Sequence, residues 1–350
     1  MPPLTPLPLP IIPRPLLRRH HCFVASDTRF RSAARLLQAQ WRDGAGLRAG
    51  TVPSRPSGHR RLGSMLAQAD AEAGGNFLTP DLARLARHEV AYRQPGALVH
   101  VQRLLRNTLT SQALAINAFG PTKLNLTLAR SLFRLLLPRA DIAEIHGVHF
   151  EYSPGRDQAE LTHDRSAFDV AATYRRSDGA NGFIGIEVKY SEIPASDPLP
   201  APLALARLSD IAEEAGLYTT PAKTVLAKPD LRQLCREHLL AQAGLIRGDW
   251  AEAHFILVAP RDNHLIVEAA RRYAAHLSPT LPGAVPFSFI TLEQLIGAIH
   301  ETGEREHAAA LHRRYTDFSV VDRLVSADIA AIPAVSIRQV ARTRAAISPP

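Results

Sequence analysis

The segment S-A-F-D-V-A-A-T-Y-R-R-S-D-G-A-N-G-F-I-G-I-E-V-K-Y, residues 166–190, decides the fold of this chain. Its centre holds D-G at 178–179 and N-G at 181–182, which are strong turn signals between segments rich in β-forming residues. The segment therefore predicts a β-hairpin. The first strand of this hairpin carries Asp169, and the second carries Glu187.

The second strand separates apolar from charged side chains. Successive side chains of a strand point to opposite faces, so Ile184, Ile186 and Val188 share one face. Glu187 and Lys189 share the other face. A charged pair within a sheet must meet water, a partner or a cation. A solvated surface ion pair is the simplest alternative to a functional site.

The hairpin register brings two carboxylates together. A turn centred at Asp178 places Asp169 and Glu187 opposite each other, because each lies nine residues from the centre. Directly opposed side chains have Cβ atoms about 5 Å apart, so the two carboxylates repel unless a cation lies between them. Hard oxygen ligands favour Mg²⁺ or Mn²⁺ over Zn²⁺. A register slip of about one or two residues would remove this pairing.

These residues resemble the signature of a known group. Asp169 followed by E-V-K at 187–189 is similar to the motif of the PD-(D/E)XK nuclease superfamily, with Phe168 in place of the usual proline. A longer resemblance to a bacterial family within it covers about residues 26–320 and includes the segments 107–120, 150–152, 165–170 and 182–192. The resemblance implies a mixed α/β, restriction-endonuclease-like fold, in which a mixed β-sheet starts with three antiparallel strands and is flanked by helices.

The resemblance also implies roles for individual residues. Asp169, Glu187 and the backbone carbonyl of Val188 would bind Mg²⁺ or Mn²⁺. Lys189 would orient the attacking water or help to deprotonate it, and would offset developing negative charge. The implied activity is metal-dependent hydrolysis of phosphodiester bonds, with DNA as the expected substrate.

Two more residues are candidates for this site. Glu151 ends a predicted strand that precedes the hairpin, and some members of the superfamily use an acidic residue from an earlier element as a further metal ligand. A surface carboxylate is the alternative interpretation of Glu151. Gln233 lies on a predicted helix after the hairpin, and some branches have a helical glutamine near the site. A solvent-facing side chain is the alternative for Gln233.

Two other functions are compatible with the same motif. One is a catalytically silent module of this fold that binds nucleic acid or a protein. The other is a metal-dependent hydrolase of a different phosphate ester, which would need a closed pocket instead of an open groove. The presence of Asp169, Glu187 and Lys189 together favours an active enzyme over a silent module.

Charge is unevenly distributed along the chain. The net charge is +8 over 350 residues. Residues 1–60 hold ten arginines and two aspartates, whereas residues 61–350 hold 31 basic and 31 acidic residues. The body of the protein therefore has no overall basic field, and a nucleic-acid site must be a local patch.

Apolar runs and cysteines indicate in which compartment of the cell the protein is expected. No apolar run approaches the roughly 18 residues of a membrane span, so no membrane association is expected. The two cysteines, Cys22 and Cys235, lie far apart and form no C-x-x-C motif. This pattern excludes a disulfide scaffold and favours a reducing, cytoplasmic location.

Proline and helical periodicity divide the chain. Residues 1–25 are dense in proline and arginine, which predicts a disordered extension. Residues 26–320 are expected to form one domain, with a helical part at 26–140 and a nuclease-like core at 141–315. Residues 321–350 are expected to be a peripheral tail.

Local patterns predict the individual elements. Residues 50–62 are expected to be a loop and residues 97–116 one helix. Strands are predicted at 145–152, 166–175, 183–190, 254–259 and 286–290, with helices between and after the later ones. Thr291 and Gln294 have the spacing of a helix-capping box.

Overall fold

A five-stranded sheet forms the centre of the computed structural model, which describes residues 9–53, 58–194, 198–279 and 282–331. The sheet has the spatial order β3-β4-β5-β6-β7. Its strands are β3 (Glu144–Tyr152), β4 (Phe168–Arg175), β5 (Asn181–Val188), β6 (Glu252–Ala259) and β7 (Phe287–Thr291). The strands β3 to β5 pair antiparallel, and β5 to β7 pair parallel. The predicted mixed sheet with an antiparallel start is confirmed.

Helices and a small hairpin precede this sheet. They are α1 (Arg14–Arg19), α2 (Arg29–Gly44), β1 (Ala49–Pro53), β2 (His59–Leu66), α3 (Gln68–Glu72), α4 (Pro80–Ala91), α5 (Val101–Arg106), α6 (Ser111–Leu124) and α7 (Leu126–Leu136). The later helices are α8 (Pro202–Glu214), α9 (Ala222–Leu226), α10 (Arg232–Arg247), α11 (His264–Ala274), α12 (Leu292–Glu301), α13 (Arg305–Tyr315) and α14 (Ser319–Ala330).

Helices cover both faces of the sheet. Ile184, Ile186 and Val188 of β5 lie in a core shared with α2, α6, α7 and α12 to α14. Phe183 of the same strand and Phe168 of β4 lie in a second core, which α8 to α11 complete. The alternation predicted for β5 is therefore confirmed, because its odd-numbered side chains face α10 and its even-numbered side chains face the other layer.

The hairpin register is the predicted one. Val170 pairs with Ile186 and Ala171 with Gly185, so each pair is equidistant from residue 178. Gly185 has a packing role here, because a Cβ atom at this position would lie 2.4 Å from a ring carbon of Phe168. The absence of a side chain therefore lets the start of β4 pack closely against β5.

Capping residues fix several helix starts. The Thr28 hydroxyl accepts a hydrogen bond from a backbone N–H at the start of α2, and the Asn125 side chain does the same for α7. Thr291 and Gln294 form both hydrogen bonds of the predicted capping box at α12. None of the helices within the described residues combines the length and the hydropathy of a membrane span.

The disordered extension predicted for residues 1–25 is wrong for residues 9–25, and residues 1–8 lie outside the described part. Helix α1 begins at Arg14, directly after Pro13. Proline is tolerated at a helix start because the first backbone N–H groups have no partner within the helix, so the missing N–H of proline costs no hydrogen bond. Leu16, Leu17 and Cys22 are buried in the core next to α2. Proline density predicted irregular backbone correctly near residue 10, but it did not reveal the apolar side chains that anchor this segment.

Three other element predictions need correction. The loop expected at residues 50–62 contains most of the β1–β2 hairpin, whose strands tolerate Pro53 at an end. The single helix expected at 97–116 is divided into α5 and α6 by residues 107–110. The tail expected from residue 321 starts inside α14, where Val321 and Val325 are buried. Residues 332–350 of that tail lie outside the described part.

Candidate active site

Three strands bring their functional residues to one end of the sheet. Asp169 is at the start of β4, Glu187 and Val188 end β5, and Glu151 is the penultimate residue of β3. Antiparallel pairing puts the start of β4 beside the ends of its two neighbours. Lys189 follows β5 directly, and its backbone N–H still donates to the Val258 carbonyl at 2.8 Å.

Asp169 is attached to the end of β5 by its side chain. Beyond the pair of Val170 and Ile186, the backbone N–H of Val188 donates to Asp169 Oδ2 at 2.9 Å. Burial raises the pKa of Asp169 well above its ordinary value, and the nearby carboxylates of Glu187 and Glu151 raise it further. The surroundings of the Asp169 carboxyl group therefore oppose its ionisation.

Glu187 and Lys189 form a buried ion pair. Lys189 Nζ lies 2.5 Å from Glu187 Oε1, and the Glu187 residue is only 3% exposed. The surface ion pair considered from the sequence is therefore wrong. Burial lowers the pKa of Lys189, but the carboxylates of Glu187 and Asp169 together more than offset this effect, so the pKa lies above its ordinary value.

Gln233 on α10 orients this ion pair. Its Oε1 accepts a hydrogen bond from Lys189 Nζ at 2.8 Å, and its Nε2 donates to Glu187 Oε1 at 2.8 Å. A flipped amide would turn its N–H groups towards the ammonium and its oxygen towards the carboxylate, so the charges fix the orientation. The solvent-facing alternative for Gln233 is wrong.

Glu237 is a fourth carboxyl group that the sequence analysis missed. It lies one helical turn after Gln233 on α10, and Gln233 Nε2 donates to Glu237 Oε1 at 2.9 Å. The Glu237 residue is 3% exposed, and no described residue donates to its Oε2. Burial raises its pKa well above the ordinary value, and repulsion from Glu187 adds to the rise. The signal available in the sequence was the i, i+4 spacing from Gln233, which puts both side chains on one helix face.

Glu151 occupies the other side of the strand ends in an unusual backbone conformation. Its φ of 50° lies in the left-handed region, which is uncommon for a residue with a Cβ atom. Its Oε1 accepts from Gln112 Nε2 of α6 at 2.5 Å, and its carbonyl accepts from Arg156 Nη2 at 2.7 Å. Burial raises the pKa of Glu151 to about 7, opposed by the Gln112 hydrogen bond and increased by Glu187.

A pocket opens beside Glu151 and Asp169. Its walls come from α4, α5, α6, β3 and the segment that precedes α5. They are mainly apolar, with the lining residues Val90, Val99, Leu104, Ala115, Ile116 and Phe150. Arg93 lines the same pocket, as does Gln112, whose Oε1 is buried and has no hydrogen-bond donor among the described residues. Of the carboxyl groups of the site, Glu151 and Asp169 therefore line this pocket, which also has a basic residue in its wall.

The comparison with known families agrees with this geometry. The model of the PD-(D/E)XK nuclease superfamily matches residues 25–317. The chain belongs to this superfamily. No curated protein and no solved structure matches the chain. The matched residues include Asp169, the E-V-K segment at 187–189, Glu151, Gln233 and Glu237.

PD-(D/E)XK nucleases typically use divalent metal ions, and the side chains of this site suit such an ion in their chemistry. They supply four carboxyl groups, namely Glu151, Asp169, Glu187 and Glu237, against the single ammonium of Lys189. Carboxyl oxygens are the ligands that a hard divalent cation prefers, and such a cation would favour their ionised forms.

Contacts within the protein nevertheless occupy these carboxyl side chains. Among the described residues, no three His, Cys, Asp or Glu side chains are grouped closely enough to hold an ion. The reason is visible in the contacts, because Glu187 is paired with Lys189, Glu151 with Gln112, and Asp169 with the Val188 N–H. Both printed contacts of Glu187 use Oε1, so its second carboxylate oxygen is not held by Lys189 or Gln233.

Proposed function

We propose that this protein is a Mg²⁺- or Mn²⁺-dependent nuclease that hydrolyses phosphodiester bonds, with DNA as its substrate. The observation that carries the proposal is the convergence of Asp169, Glu187 and Lys189 at one sheet end in a member of the PD-(D/E)XK superfamily. Asp169, Glu187 and the carbonyl of Val188 would hold the cation, with Glu151 as a further ligand. Its two free, buried cysteines suit a reducing, cytoplasmic compartment.

The bound cation would lower the pKa of water and neutralise charge on the phosphoryl oxygens. The residues of this chain would do the remaining work. Lys189 Nζ contacts Gln233 Oε1 and Glu187 Oε1, which leaves one N–H group to orient the attacking water or to donate to a phosphoryl oxygen. Water adds to phosphorus, the bond to the leaving oxygen breaks, and the products are a phosphate monoester and an alcohol.

Arginines beside the opening support a nucleic-acid substrate. Arg93 lines the pocket, Arg156 binds the Glu151 carbonyl, and Arg165 Nη2 donates to the Gly96 carbonyl at 3.1 Å. These side chains belong to the segments that border the site. They provide local positive charge in a chain whose residues 61–350 are balanced overall.

Cleavage assays with matched variants test this proposal. Plasmid and single-stranded DNA are incubated with Mg²⁺ or Mn²⁺ and with the wild type, Asp169→Asn or Lys189→Met. We expect metal-dependent cleavage that is lost in both variants and retained in Lys223→Met, which removes an exposed lysine of α9. Equal cleavage by all four proteins would identify a contaminant. Metal binding without cleavage of DNA would favour the silent binding module or another phosphate ester.

A further inference from the structure

Glu237 has the features of a functional residue, although the proposed function gives it no role. Its carboxyl group is buried, one of its oxygens accepts from Gln233 Nε2, and no described residue donates to the other oxygen. Burying a carboxyl group with an unsatisfied oxygen lowers the stability of the fold. At a purely structural position of α10, a glutamine or leucine would destabilise the fold less than a buried carboxyl group does.

The contacts connect Glu237 to Lys189 through one amide group. Gln233 Nε2 donates to both Glu187 and Glu237, while Gln233 Oε1 accepts from Lys189. Lys189 thus has one carboxylate in direct contact and a second one behind the amide. Glu237 also contributes to the negative potential at Lys189, after Glu187 and Asp169.

We propose that Glu237 is a positioning residue, which keeps Lys189 and Gln233 in place when Glu187 is shared with a divalent cation. This inference rests on the proposed function. When Glu187 also faces the cation, its attraction for Lys189 weakens, and the hydrogen bond from Gln233 to Glu237 keeps the amide oxygen directed at Lys189. Without Glu237, the ammonium would stay on Glu187 and compete with the cation for that carboxylate.

The experiment is a double-mutant cycle read out by Mn²⁺ affinity in calorimetry, which does not depend on turnover. Glu237→Gln preserves the shape of the side chain and removes its charge. We expect this variant to bind Mn²⁺ about five- to tenfold more weakly than the wild type. In a Lys189→Met background, the same substitution should change the affinity by less than about twofold, because the competing ammonium is absent. Glu214→Gln, on the exposed side of α8, is the matched control.

Each outcome is decisive for the proposal. An equal loss of affinity in both backgrounds would mean that Glu237 acts on the cation directly and would overturn the positioning role. Unchanged affinity in Glu237→Gln, with binding abolished in Asp169→Asn, would overturn this inference and leave the proposed function intact. No Mn²⁺ binding by the wild type would overturn both. If Glu237→Gln does not fold, as judged by its thermal transition, Glu237→Asp takes its place, with an intermediate affinity expected.

Discussion

Replacing Glu151 with glutamine should make the metal-free protein more stable at high pH. In the folded protein, burial and the neighbouring Glu187 place the pKa of Glu151 near 7, against an ordinary value of 4.5. A folded-state pKa above the unfolded one means that the full stability exists below pH 4.5 and is lost as the pH rises through about 7. At 1.36 kcal/mol for each pKa unit, the cost of ionising Glu151 approaches about 3 kcal/mol at pH 8.

The assay is chemical denaturation of chelator-treated protein between pH 5 and pH 8. At pH 5, Glu151 is protonated in the folded protein but largely ionised in the unfolded one, so Glu151→Gln should be more stable than the wild type by less than about 1 kcal/mol. At pH 8, the variant should be more stable by about 2–3 kcal/mol, because glutamine keeps the shape of the side chain and carries no charge. The Gln112 Nε2 donor still finds an oxygen acceptor in the variant.

Glu144→Gln is the matched control, since Glu144 is an exposed glutamate on the same strand. Its pH dependence should follow that of the wild type. Parallel curves for the wild type and Glu151→Gln would refute the reasoning, because they would show that Glu151 does not titrate in a repulsive, buried environment. Addition of Mn²⁺ at pH 8 should restore much of the lost stability to the wild type.

Four substitutions test the packing and the chemistry further. Gly185→Ala should lower the free energy of unfolding by about 1–3 kcal/mol, because its Cβ would clash with Phe168. Gly297→Ala has free space in α12 and should raise the free energy of unfolding by about 0.5–1 kcal/mol. An unchanged free energy of unfolding for Gly185→Ala in urea denaturation would contradict the clash. Lys189→Met should reduce DNA cleavage at least about a hundredfold while Mn²⁺ affinity is kept or increased, and a parallel loss of both would point to misfolding instead. Thr291→Ala should cost about 1 kcal/mol in thermal unfolding through loss of the α12 cap, and an unchanged transition would show that Gln294 alone holds the cap.

The central hairpin could be predicted from sequence because its information is local. Turn residues beside 178 set the register, and strict alternation from Ile184 to Lys189 set the face of each side chain. These two patterns were sufficient to bring Asp169 and Glu187 to one end of the sheet. The order of the later strands and helices also followed, because apolar runs and caps mark them individually.

Long-range contacts explain what the sequence did not reveal. Glu237 looks like an ordinary helical glutamate until α10 packs across the end of β5. The buried segment at residues 9–25 has the composition of a linker, and its role depends on a core built from residues far along the chain. The sequence left open whether Glu187 and Lys189 meet water, a partner or a cation, and the structure shows them paired with each other in a buried place.

The two ends of the described chain meet in space, and this affects how the protein must be made. Arg19 of α1 forms an ion pair with Asp328 of α14, across 309 positions, and both helices contribute to the core that α2 shares. During synthesis, the site-bearing strands leave the ribosome long before α14 does. The core that supports them is therefore complete only after α14 has been made, whereas β2, which packs against α2, is available much earlier.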